Sequence, residues 1–98
     1  MAASFFLVPI FAILVYPPFL FSKRSANSLN NLALLYDDMR QYELAEPLYL
    51  QAMEIWKRAL GEEDFHYSLA LNNLANLYDN IGQYELAEPL YLQAIAIR

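Results

Sequence analysis

Leu71-Asn72-Asn73-Leu74-Ala75-Asn76-Leu77-Tyr78-Asp79, followed after a short turn by Gln83-Tyr84-Glu85-Leu86-Ala87-Glu88-Pro89-Leu90-Tyr91-Leu92-Gln93-Ala94, decides how this chain folds. The same text, little altered, stands 42 residues earlier: Leu29 to Trp56 overlays Leu71 to Arg98 with seven differences in 28 positions. A fixed period in this range marks a solenoid, in which each unit buries its apolar face only against its neighbours.

Within each unit the apolar spacing is helical. Leu29, Leu32, Ala33 and Tyr36, like Leu71, Leu74, Ala75 and Tyr78, fall at i, i+3, i+4 and i+7, on one side of a first helix. A second helix carries Leu44, Ala45, Leu48, Tyr49, Ala52, Ile55, Trp56 and Ala59, copied downstream by Leu86, Ala87, Leu90, Tyr91, Ala94 and Ile97. Ala33 with Ala45, and Ala75 with Ala87, let the helices of a unit approach closely, while Tyr36, Tyr49, Tyr78 and Tyr91 read as core filling the larger gaps. In the second unit the turn holds Gly82, which takes the left-handed conformation without steric cost. Arg40 stands there in the first, where a non-glycine residue costs about 1 kcal/mol, so that turn is expected to be slightly strained or differently shaped. Pro47 and Pro89 sit near the start of the second helix, where few amide donors have a partner to lose.

The repeated LNNLA and AEPLY, the alanine and tyrosine spacing, and Leu60-Gly61 opening the loop between units resemble the 42-residue variety of tetratricopeptide repeat (TPR) found in kinesin light chains. Where that variety places His-Pro after the Leu-Gly, this chain has Asp64-Phe65, with His66 one place on. The resemblance covers residues 25–98 and implies an all-α fold: an α-α superhelix of about two helix-turn-helix repeats, 25–66 and a truncated 67–98. It also implies a concave wall, lined by the first helices, that receives a peptide or a partner helix. Two repeats with no polar caps suggest a fragment of a longer array, marginally stable and able to self-associate through its uncapped ends, where Leu92 and Ile95 lie.

On the first helices, the face opposite the tyrosines carries Asn27, Asn30, Leu34 and Asp37, then Leu69, Asn72, Asn76 and Asp79, with Asn31 and Asn73 at its border. Asparagine is a poor helix former, so its recurrence at equivalent positions asks for a reason. Its amide both donates and accepts, which suits it to the main chain of an extended peptide. The competing reading has these amides cross-linking neighbouring helices or facing water. Asp37, Asp38 and Asp79 make the face acidic, which favours a basic or neutral protein partner held less tightly as salt rises.

Residues 25–98 hold all eleven acids against four bases (Arg40, Lys57, Arg58, Arg98), a balance of −7 that disfavours nucleic acid. The absence of cysteine excludes disulfides, thiolate metal sites and cysteine nucleophiles. One histidine makes no zinc site, so His66 reads as a loop or capping residue. Glu43 with Glu46 and Glu85 with Glu88 read as a solvated first turn that meets the helix dipole, not as acid-base pairs. No phosphate loop or Ser-His-Asp set can be assembled, so no cofactor, metal or catalysis is expected.

The composition is 58% hydrophobic because residues 1–24 carry an apolar run unrelated to the repeat. Residues 5–21 would span about 26 Å as a helix, just short of the hydrocarbon thickness, but Pro9, Pro17 and Pro18 interrupt it. Three readings stand: a membrane anchor, a secretion signal, or a remnant without a role. With Lys23 and Arg24 behind it, an anchor would leave the repeats in the cytoplasm. The expected function is a protein-binding module, with a membrane-tethered structural or assembly component as the alternative.

Overall fold

The computed structural model describes residues 22–97, which form four α-helices with no strand among them: α1 (Lys23–Asp38), α2 (Tyr42–Leu60), α3 (Phe65–Asn80) and α4 (Tyr84–Ala96). Each helix packs on the next in chain order. Two hairpins, α1–α2 and α3–α4, thus lie side by side and share the α2–α3 seam.

Each hairpin starts at a capping side chain. Ser22 accepts from the Ser25 amide at the head of α1, and Asp64 accepts from the His66 amide at 2.7 Å at the head of α3. These caps lie one period apart and satisfy donors that the helix itself leaves open. The first helices begin at Lys23 and Phe65, two residues before the expected repeat bounds of 25 and 67. Phe65 is the first helical residue, where the 42-residue variety has proline, and Asp64 before it opens the helix by accepting a backbone N–H. The expected apolar segment 5–21 lies outside the described residues. No helix among the described residues is long and apolar enough to cross a membrane.

Both hairpin turns close by the same pair of bonds. The Gln41 amide donates to the Tyr36 carbonyl at 2.8 Å and the Arg40 amide to Asp37 at 2.9 Å; Gln83 to Tyr78 and Gly82 to Asp79 repeat the pattern at 2.8 and 3.0 Å. This Schellman closure needs a left-handed residue, and Gly82 supplies it at φ 81°. Arg40 adopts φ 62° in the same place, the strained one of the two forms expected for that turn.

Alanines form the contact surfaces. Ala33, Ala45, Ala75 and Ala87 are buried together with Tyr49, Leu74, Leu77 and Tyr78 in the central cluster, which draws on all four helices. A second cluster joins Ala26, Ala52, Ile55 and Trp56 to Ala70 of α3, and a third joins Tyr67, Leu71 and Ala94. Four residues expected in the apolar stripes are exposed: Leu32, Leu44 and Leu86, and Ala59 near the end of α2. Leu44 and Leu86 lie in the first turn of the second helices beside the buried Ala45 and Ala87, on the side turned away from the core. Leu32 lies on the side of α1 away from the second hairpin, since its counterpart Leu74 is buried where α3 meets α2.

Candidate functional site

The polar faces of α1 and α3 run side by side and are tied to each other by their own side chains. The Asn73 amide donates to Asn30 Oδ1 at 3.2 Å, and the Asn80 amide donates to Asp37 Oδ1 at 3.3 Å. From α2, Tyr49 OH reaches the second oxygen of Asp37 at 3.1 Å. In the second hairpin Tyr91 OH donates to Asn76 Oδ1 instead. Across the α2–α3 seam Tyr78 OH donates to Glu46 Oε2 at 2.6 Å.

These bonds divide the expected ligand face. Asn30 is buried, 5% exposed, and with Asn73 forms a cross-link between units, so these two amides serve the array first. Asp37 holds two donors and Asn76 one. Asn27, Asn31, Leu34, Asn72 and Asp79 are exposed, and the side chains of the four polar ones make no hydrogen bond among the described residues, which leaves their amides and carboxylate open to an extended chain.

Three participants escaped the sequence reading. Asn80 and Tyr49 both complete the shell of Asp37, and Glu46 was read as a solvated acid although it receives the Tyr78 hydroxyl. The signal that would have found the helix-to-helix pairs is their separation: Asn30 to Asn73 and Asp37 to Asn80 are each 43 residues apart, the period plus one.

The tyrosine hydroxyls pay for their place. Burial, reinforced by the charge and hydrogen bond of Asp37, raises the Tyr49 phenol far above its ordinary range. Burial and Glu46 push Tyr78 up to about 12, and burial with the Asp79 charge raises Tyr91. A folded-state pKa above the unfolded value means that the native chain holds its proton longer. The stabilisation is therefore whole below pH 10.0, the ordinary phenol value, and lost as pH climbs through about 12. Helicity followed by circular dichroism should fall cooperatively in that window, and Tyr78→Phe, which has no proton to lose, should shift the fall to higher pH.

Asp64 also accepts from His66 Nδ1 at 3.0 Å, and the hydrogen bond from the His66 amide is the main cause that holds its carboxyl below the usual range. The imidazole rests against Trp56 with ring centroids 5.5 Å apart. His66, the second residue of α3, thus braces the Asp64 cap that opens the helix. No group of three or more His, Asp or Glu side chains able to hold a metal ion occurs among the described residues.

A family model described as tetratricopeptide repeat matches residues 24–98, nearly the span of the four helices. No curated protein matches the chain.

Proposed function

We propose a binding role from one premise: the chain belongs to the tetratricopeptide repeat family, whose repeats generally mediate protein–protein interactions. In this reading an extended segment of a partner protein lies along the concave wall that the first helices, α1 and α3, line. The observation that carries it is the set of open amides, Asn27, Asn31 and Asn72, exposed beside Leu34 on adjoining helices. Such amides bond a peptide main chain whatever its side chains are, and Leu34 offers an apolar contact between them. Asp37 and Asp79 favour a basic or neutral segment.

The 42-residue period supports the kinesin-light-chain-like variety of the repeat. The role is non-enzymatic and cytoplasmic, and it includes self-association through the end helices. The tethered alternative rests on residues 5–21; since α1 begins at Lys23, removing residues 1–21 leaves both hairpins and the Ser22 cap in place and separates the two roles.

Isotope-labelled protein titrated with a short peptide of alternating alanine and lysine tests the binding face. Amide-group signals of Asn27, Asn31, Asn72 and Asn76 should move, more weakly as salt rises, and a glutamate-rich peptide should leave them still. Asn27→Ala combined with Asn31→Ala should weaken the complex about five-fold at unchanged helicity, the size of one or two lost hydrogen bonds. Movement confined to other surfaces would remove this face from the proposal.

A further inference from the structure

The duplication lets one hairpin measure the other. Each first helix folds on its own second helix, so a difference in exposure at equivalent positions reports what the adjoining hairpin covers. Leu74 and Leu77 of α3 are 2% and 0% exposed, whereas Leu32 and Leu35, one period earlier on α1, are 40% and 54% exposed. At the other end, Met53 of α2 packs against all three clusters, and its counterpart Ile95 on α4 is 65% exposed.

An open groove of about 610 Å³ runs between α3 and α4, lined among others by Ser68, Leu69, Asn72, Ile95 and Ile97. Moved back by one period, the lining becomes Ala26, Asn27, Asn30, Met53 and Ile55. That is the seat of α3 on the first hairpin: Ala26 and Ile55 cluster with Ala70 of α3, and Asn30 holds the Asn73 amide. The groove is the same seat, vacant, and it asks for a helix that reads like α3.

The geometry points to a second copy of this chain as the occupant, its α1 lying in the α3–α4 groove in the register that α3 takes on α1–α2, so that copies join head to tail. α1 carries the matching text, with Asn31, Leu32, Leu35 and Tyr36 standing for Asn73, Leu74, Leu77 and Tyr78. The Leu32 and Leu35 side chains, exposed on one copy, meet Ile95, exposed on the next. Two bonds of the internal seam have all their partners ready. Tyr36 faces Glu88 as Tyr78 faces Glu46, and Asn31 faces Asn72 as Asn73 faces Asn30. The contact continues an interface already formed within the chain. It is heterologous, so every added copy presents the same two ends and assembly stays open.

Several sequence differences make this contact weaker than its template. Ser28 stands where α3 has Ala70, and Ser25 where it has Tyr67, so less apolar surface is covered. The Asn80 amide that donates to Asp37 is replaced by Asp38, which in the same register meets Asp79, carboxylate against carboxylate. Arg98 stands where the first unit has Trp56. Association is therefore restrained by charge, and removing one carboxylate should release it.

Sedimentation equilibrium of the full chain tests this, with weight-average mass expected to rise continuously with concentration. Asp38→Asn should tighten association about five-fold, the scale of one relieved like-charge contact near a protein surface. Ile95→Glu should weaken it at least about ten-fold, by placing a charge in an apolar contact. Ile95 is exposed in the single chain, so helicity should be unchanged. Because the chain has no cysteine, Tyr36→Cys and Glu88→Cys introduced in separate copies report the pairing. On mild oxidation their mixture should give the mixed disulfide in preference to either homodimer.

A monomer at all concentrations would overturn the proposal, as would homodimeric disulfides predominating in the mixture. So would association that vanishes when residues 1–21 are removed yet ignores Ile95→Glu, because the apolar segment would then be the agent. Peptide contact is read separately, by signals at Asn27 and Asn76, so either reading can fail while the other stands.

Discussion

Trp56→Ala should leave the chain largely unfolded at room temperature, with a loss of about 3–5 kcal/mol. The indole is buried where three helices converge: Ala26 of α1, Ala52 and Ile55 of α2, and Ala70 and the His66 ring of α3 all border it. Three of those neighbours are alanines on helices that cannot slide together without breaking the central cluster, so the cavity would not collapse. A domain of this size has little stability to spare against such a loss. Thermal melts followed by circular dichroism should show a broad, early transition, while Trp56→Phe should keep a cooperative one. A shift of only a few degrees for Trp56→Ala would mean that the ring does not hold the hairpins together.

The period told most of the fold, because a duplicated helix pair can satisfy its apolar faces only by stacking. It placed both turns and left the first either strained or differently shaped; the structure has the strained form, with Arg40 left-handed. It could not say which apolar residues are covered. Leu32 and Leu74 have the same neighbours in sequence, yet only Leu74 has a hairpin against its outer side. Helical spacing records the face of a single helix, whereas burial depends on what lies next to it. The asparagines were ambiguous for the same reason. Their recurrence fitted a ligand face and a cross-link equally well, and the structure assigns Asn30 and Asn73 to each other while leaving Asn27, Asn31 and Asn72 open. The helix entrances are legible only once the period is applied to polar residues: Ser22 and Asp64, 42 residues apart, cap α1 and α3.

Leu77→Ala and Leu35→Ala form a pair of substitutions with the same chemistry and very different expected costs. Both leucines precede Tyr-Asp in the last turns of a first helix, so propensity and local contacts are matched, and alanine is if anything the better helix former. Leu77 is buried in the central cluster, and its truncation should cost about 2–5 kcal/mol, since the void lies between packed helices. Leu35 is more than half exposed and should cost under about 1 kcal/mol in dilute solution. Urea titrations of the two variants measure both figures. Equal costs would show that the seam between hairpins contributes nothing at Leu77 beyond what its own helix provides. Protein concentration adds a second axis to the comparison, because a contact formed between copies stabilises the folded chain by mass action. The cost of Leu35→Ala should therefore grow as the protein is concentrated, while that of Leu77→Ala, whose partners are all in its own chain, grows far less.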